Sequence, residues 1–130
     1  MRYEGLANLP YDYAAIAPAG ATLFTAGACP LDGDGTVVAP GDHRAQAEKA
    51  VENLLTVLDR HGAGPEHLVK TTVYVLGDRR SLVAVWDVVV GRLEPHRPPS
   101  MLLGVAALGY EDQLVEIDAI AAVPGTAVPI

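Results

Sequence analysis

The sequence predicts an α+β domain in which two helices cover one face of a small β-sheet. Two segments, one over 42–62 and one that ends before Pro95, have apolar side chains at helical spacing. Five shorter segments are rich in β-branched or alternating residues and are bounded by Gly, Pro or Asp, which favours strands. The order β-β-α-β-α-β-β fits a single domain over residues 1–130, with both helices on the same face.

The first two predicted strands lie near the amino terminus, over 13–17 and 22–26. The intervening Pro18-Ala19-Gly20 has the composition of a hairpin turn. The first helix is predicted to begin after Asp42, a good N-cap residue, and to run towards Gly62, which suits the position after a helix end. One apolar stripe on that helix consists of Ala47, Ala50, Val51, Leu54 and Leu58.

The second half of the chain supplies the remaining elements. A strand is predicted over 69–75, and a helix follows with Leu82, Val85, Trp86, Val89 and Leu93 at helical spacing. The last two strands are predicted over 101–108 and 114–123. Because successive strand residues point to opposite faces, Glu116 and Asp118 should face away from the helices if Val115 and Ile117 face them.

Composition narrows the class of protein. Half of the residues are hydrophobic and 19% are charged, so some apolar surface is expected to face another subunit. The net charge of −7 and the lack of a Lys/Arg cluster count against a nucleic-acid partner. No apolar run approaches a membrane span, no signal-peptide core is visible, and the single Cys29 forms no intrachain disulfide. We therefore expect a cytoplasmic protein without a membrane partner.

No metal site or cofactor is predicted. The four histidines are scattered without ligand spacing. Cys29 lies beside Pro30 in a small-residue turn, with no spaced histidine that would suggest a nucleophile, so we interpret it as structural.

Three stretches in order resemble a known family from about Tyr13 to Val123. They are Thr25-Ala26-Gly27 with Pro30, the segment from Val69 to Val75, and the segment from Leu114 to Ala121. Gln46 and Glu52-Asn53-Leu54 also fit. Together they are similar to the RidA/YjgF family, which implies a chorismate-mutase-like fold and a homotrimer with small-molecule clefts between subunits.

Family members of the deaminase type hydrolyse imines and enamines such as 2-aminoacrylate. The resemblance places the glutamate that positions water at Glu116 and a pocket tyrosine at Tyr13, although Tyr13 also fits an amphipathic edge residue. A pocket position on the second helix falls near Trp86, which packing in the core or an interface would equally explain.

The arginine that holds the substrate carboxylate in those deaminases is missing here. A gap-free match places Ser100 at that position, and Arg97 matches only with a gap that breaks the strand register. A guanidinium offers two parallel charged hydrogen bonds, whereas a hydroxyl offers one neutral bond. A more apolar or neutral substrate would suit a pocket containing Ser100, Leu102 and Trp86.

Three functions remain open at this point. The favoured one is an imine or enamine hydrolase with Glu116 as the catalytic residue, acting on a substrate other than 2-aminoacrylate. The alternative is a trimer that binds a metabolite without turnover. The ribonuclease or translation-inhibitor role of some family members is least favoured, because the chain is acidic.

Overall fold

Four strands form one mixed sheet in the computed structural model, which describes residues 4–124. The elements in chain order are β1 (Ala21–Phe24), α1 (His43–Arg60), a 3-10 turn (Pro65–His67), β2 (Leu68–Leu76), α2 (Arg79–Leu93), β3 (Ser100–Val105) and β4 (Val115–Val123). The strand order is β1-β4-β2-β3; β2 and β3 are parallel, and β4 is antiparallel to both of its neighbours. This confirms the predicted α+β class.

Both helices begin at an aspartate N-cap. The side chain of Asp42 accepts a 3.0 Å bond from the Ala45 N–H, and that of Asp78 accepts a 2.9 Å bond from the Ser81 N–H. These bonds satisfy donors that a helix start would otherwise leave unpaired. Residue Gly62 has a φ of 71°, a backbone conformation that glycine adopts without a steric penalty. The predicted limits of α1 are therefore confirmed to within two residues.

The predicted strand over 13–17 is wrong, and so is the hairpin that would have joined it to β1. All five of its residues are exposed, so the segment has no apolar face buried by the domain. Just before it, the Asp12 N–H donates to the Arg97 carbonyl at 2.8 Å and holds the chain near the start of β3. Among the described residues, β1 is instead an edge strand whose one partner is β4.

The apolar core lies between the helices and one face of the sheet. The predicted stripe of α1 is buried there, together with Val85, Val89 and Leu93 of α2. Residue Val73 is paired with Ile117 on one side and with Leu102 on the other, so these three share the face that the helices cover.

The opposite face, which we call the open face, carries no helix. Tyr74 is paired with Glu116 and with Leu103, which places all three on it. Phe24, Met101 and Leu103 on this face are 71%, 47% and 37% exposed. Neither helix of the described chain is long and apolar enough to cross a membrane.

Candidate functional site

The carboxylate of Glu116 is held at one of its two oxygens. The Nε2 of Gln113 donates to Oε1 at 3.0 Å, and the Sγ of Cys29 donates to the same oxygen at 3.3 Å. Neither of these two hydrogen bonds involves the other carboxylate oxygen, Oε2. The carboxylate on β4 is therefore oriented by two side chains rather than freely solvated.

A glycine makes room for this carboxylate. The segment from Thr25 to Ala28 runs along β4, because the Thr25 N–H donates to the Ala119 carbonyl at 3.0 Å and the Ala28 N–H to the Ile117 carbonyl at 2.6 Å. Gly27 thereby lies directly against Glu116: a Cβ built on it would be 2.0 Å from Oε2. The motif glycine is thus needed for close approach, not for an unusual φ.

The thiol of Cys29 is in its neutral form near this carboxylate. The pKa of Cys29 is raised to about 11, mainly by burial and in addition by the hydrogen bond to Glu116 and the negative charge of that carboxylate. At neutral pH the group is an S–H donor and not a thiolate. The prediction that Cys29 is no nucleophile agrees with this environment, because the thiolate is the reactive form.

Gln113 is a part of the site that the sequence analysis missed. Its side chain is almost fully buried, accepts from the Tyr110 N–H at 3.1 Å and donates to the Val115 carbonyl at 3.0 Å in addition to Glu116. A glutamine three residues before a candidate glutamate has no motif of its own. Only the bend of the chain into β4 brings the two side chains together.

Two motif residues of α1 hold the loops around the site. The Nδ2 of Asn53 donates to the carbonyls of Cys29 and Leu31, both at 2.9 Å. The buried Gln46 accepts from the Leu114 N–H at 2.8 Å and donates to the Asp112 carbonyl at 2.9 Å. Both resemble family residues in the sequence, and their contacts here are with the backbone, so they fix loop positions.

Three other predicted residues meet in a second place. Trp86, Ser100 and Leu102 line a cleft of about 390 Å³ with Met101 and Tyr11. Tyr11 makes an edge-to-face contact with Trp86, with ring centroids 5.8 Å apart. The Thr71 hydroxyl donates to the Ser100 hydroxyl at 2.6 Å. The cleft is therefore aromatic and hydroxylic.

The structure does not bring Tyr13 to this cleft within one protomer. Its side chain is exposed, and its hydroxyl donates to the Ala7 carbonyl at 2.8 Å. The pocket aromatic here is Tyr11, two residues earlier. Arg97 lines a smaller adjoining cavity of about 20 Å³ with Trp86 and Ser100, so the rejected match for the arginine is a neighbour of the cleft.

Glu116 and Ser100 lie on opposite faces of the sheet. Ile117 and Leu102 face the helices. Because successive strand residues alternate between faces, Glu116, next to Ile117, lies on the open face, and Ser100, two residues from Leu102, lies on the helix-covered face. They are also two strands apart, on β4 and β3. One protomer therefore presents two half-sites, a carboxylate half-site around Glu116 and an aromatic half-site around Ser100.

Metal ligation finds no support in the described part of the chain. No group of three or more His, Cys, Asp or Glu side chains in residues 4–124 is placed to hold a metal ion.

Comparisons with known proteins give a consistent match. The family model described as endoribonuclease L-PSP matches residues 6–123. The RutC family protein slr0709 of Synechocystis is 38% identical over 118 residues, which cover 88% of this chain and 87% of the relative. The Rid-family protein YyfB of Yersinia pestis has a TM-score of 0.86 and 28% identity, with 94% of this chain and 96% of that chain covered.

A further solved structure is that of E. coli TdcF with bound serine. It has a TM-score of 0.70 and 26% identity, and the match covers 88% of this chain and 95% of that chain.

Proposed function

The chain belongs to the RidA/YjgF family, that of the endoribonuclease L-PSP model, and from that premise we propose that it is a cytoplasmic hydrolase of imines, enamines or related C–N bonds. One observation carries the proposal: the Glu116 carboxylate is bound at Oε1 by two side chains and lies against Gly27 at Oε2. A carboxylate that is fixed at one oxygen, with its other oxygen outside these hydrogen bonds, is what a general base for water requires.

The proposed reaction has balanced atoms and protons. Glu116 takes a proton from water while the water oxygen forms a bond to the imine carbon. The proton then passes to nitrogen and gives a carbinolamine; Glu116 next takes the proton of the new hydroxyl and passes it to the same nitrogen as the C–N bond breaks, so the products are a carbonyl compound and ammonia. Glu116 ends in its starting form, so neither an oxidant nor a cofactor takes part.

The aromatic half-site determines the proposed substrate class. In place of a guanidinium it offers the Ser100 hydroxyl, which already accepts a bond from Thr71. Losing a charge-assisted anchor costs on the order of 1.5–3 kcal/mol of binding for a carboxylate. Tyr11 and Trp86 favour a substrate with an apolar group. The relative TdcF binds serine, so a small amino-acid ligand fits this fold.

We further propose a homotrimer in which each cleft combines half-sites from two protomers. The opposite-face arrangement supports this, because Glu116 and Ser100 of one chain point to different sides of the sheet. The exposed Phe24, Met101 and Leu103 on the open face supply apolar surface for a partner.

Ammonia release tests the proposal. A panel of imines, made in situ from amino acids of increasing apolar size and from the matching amines that lack the carboxylate, is offered to the wild type, Glu116→Gln and Asp118→Asn. Asp118 is the matched control, because it lies two residues further on the same strand and the same face. We expect turnover in the wild type and Asp118→Asn, and its loss in Glu116→Gln. Ligand binding without ammonia release from any chain would favour the alternative, a metabolite-binding trimer.

A further inference from the structure

We propose that Gln113 and Cys29 are positioning residues for Glu116: they bind Oε1 jointly and so make Oε2 the oxygen that takes the proton from water. This inference rests on the proposed hydrolase function and extends it to two residues to which the family resemblance assigns no role. Its physical content is an asymmetry between the two oxygens of one carboxylate.

The amide of Gln113 can point only one way. Its Oε1 accepts from the Tyr110 N–H, and its Nε2 donates to both the Val115 carbonyl and Glu116. A flipped amide would place its oxygen against the Val115 carbonyl and the Glu116 carboxylate, and its NH₂ against the Tyr110 N–H. The side chain is only 2% exposed, so water does not compensate for such a flip. The donor to Glu116 is therefore fixed in identity and direction.

The second donor is held by the backbone. Asn53 binds the carbonyl of Cys29 at 2.9 Å. The Cys29 Sγ is 3.3 Å from Glu116 Oε1 and 3.6 Å from the Gly27 carbonyl, so the carboxylate is the nearer and the stronger acceptor for its single hydrogen. The raised pKa of Cys29 keeps the thiol protonated, so it acts as a donor at working pH. A thiol is a weaker donor than an amide, so its share of the effect is the smaller one.

The two bonds have a joint chemical consequence. An oxygen that accepts two hydrogen bonds is a poorer proton acceptor than the other oxygen of the same carboxylate, because its lone pairs are engaged. Oε2 lies against the backbone of Gly27, and neither of the two hydrogen bonds engages it. The proton from water is therefore directed to Oε2.

Spectroscopy tests the contacts without activity. Cys29 is the one cysteine of the chain, so its S–H stretching band in the infrared is unambiguous. In the wild type the band should be at a lower frequency than in Glu116→Gln, because a carboxylate is the stronger acceptor; Asp118→Asn should leave it unchanged. The side-chain amide protons of Gln113, followed by NMR, should shift in Glu116→Gln and not in Asp118→Asn. Unchanged signals in Glu116→Gln would overturn the inference.

Kinetics then tests the positioning role. We expect Gln113→Met to lower kcat by about tenfold and Cys29→Ala by about threefold, with KM little changed, as expected for the loss of one hydrogen bond each. Cys29→Ser keeps a donor and should recover most of the lost kcat. Circular dichroism checks that each variant folds. If Gln113→Met does not fold, the kcat values of Cys29→Ala and Cys29→Ser, together with the S–H band and the Gln113 amide signals, test the inference.

The outcomes separate the two proposals. Wild-type kcat in both Cys29→Ala and folded Gln113→Met, with Glu116→Gln inactive, overturns the positioning role and leaves the hydrolase proposal standing. An inactive wild type over the whole panel overturns the hydrolase proposal, and the positioning role with it, even where the spectra show both contacts.

Discussion

Gly27 lies so close to Glu116 that a Cβ on the glycine would be 2.0 Å from Oε2 and 2.8 Å from Cγ. Gly27→Ala should therefore push the carboxylate away from Gln113 and Cys29 and lower kcat by at least about tenfold, the equivalent of one hydrogen bond. The matched control is Gly33→Ala, where an added Cβ meets nothing within 4 Å. Equal kcat in the two variants would contradict this explanation of the glycine.

Because Ser100 stands at the position of the deaminase arginine, we expect poor hydrolysis of 2-aminoacrylate. The substrate carboxylate would meet one neutral hydroxyl donor, that of Ser100, in place of the two charged donors of a guanidinium. When 2-aminoacrylate is generated enzymatically from serine, this protein should accelerate pyruvate formation little. Ser100→Arg should raise that rate, although packing a longer chain beside Trp86 and Leu102 costs about 1–3 kcal/mol.

The opposite result has a defined meaning. Fast pyruvate formation by the wild type would show that the anchor is dispensable or that Arg97, which lies at the adjoining cavity, replaces it. Comparing the wild type with Arg97→Gln separates these two cases, because Arg97→Gln lowers the rate of pyruvate formation only if Arg97 replaces the anchor.

A trimer is expected in solution. Its mass by light scattering should be about three times the 13.6 kDa of one chain. Leu103→Glu places a charge on the open face and should lower the mass, whereas Val83→Glu should not, because Val83 is an exposed residue of α2. A mass of 13.6 kDa for the wild type at micromolar concentration would refute the trimer.

Cys29 should make the free energy of unfolding depend on pH in the alkaline range. Its pKa is about 11 in the folded chain against an ordinary value of 9.0, so the unfolded chain loses the proton first as pH rises. Relative to Cys29→Ser, the wild-type free energy of unfolding should be constant below pH 9.0 and fall as pH rises from there to about 11. Urea denaturation over a pH series measures it, and a difference that stays constant would contradict the assignment.

Intrinsic ribonuclease activity is not expected, despite the name of the matching family model. The net charge of −7 repels the phosphate backbone of RNA. Filter binding of a single-stranded RNA over a salt series should show no salt-sensitive retention. Binding that weakens with salt and co-purifies with this chain through two columns would overturn the expectation.

The elements that the sequence predicted well are those with strong local signals. Asp42, the apolar stripe and Gly62 determine α1 within its own segment, and Val69 to Val75 has strand composition throughout. The segment over 13–17 failed because a strand needs a partner edge: it does not pair with the free edge of β1, and the Asp12 N–H just before it is bonded to Arg97 instead. Pairing between distant segments is not encoded in local composition.

The candidate site was predicted only in part, because contacts between distant segments are not encoded in local composition. The family resemblance pointed to Glu116, Tyr13, Ser100 and Trp86. Ser100 and Trp86 do line one cleft, together with the predicted neighbour Leu102, whereas Tyr13 does not. Gln113 and Tyr11 were missed, because their roles depend on a chain bend and on packing between segments that lie far apart in sequence. The resemblance also could not show that Glu116 and Ser100 lie on opposite faces of one sheet.

That arrangement on opposite faces has a genetic consequence. If each active cleft takes its carboxylate half-site from one chain and its aromatic half-site from another, a chain altered at Glu116 still contributes an intact aromatic half-site to its neighbour. Two inactive alleles, one altered at Glu116 and one at Trp86, would then restore growth or turnover when expressed in the same cell, because some mixed assemblies contain an undamaged cleft. Two alleles altered on the same face would not complement each other.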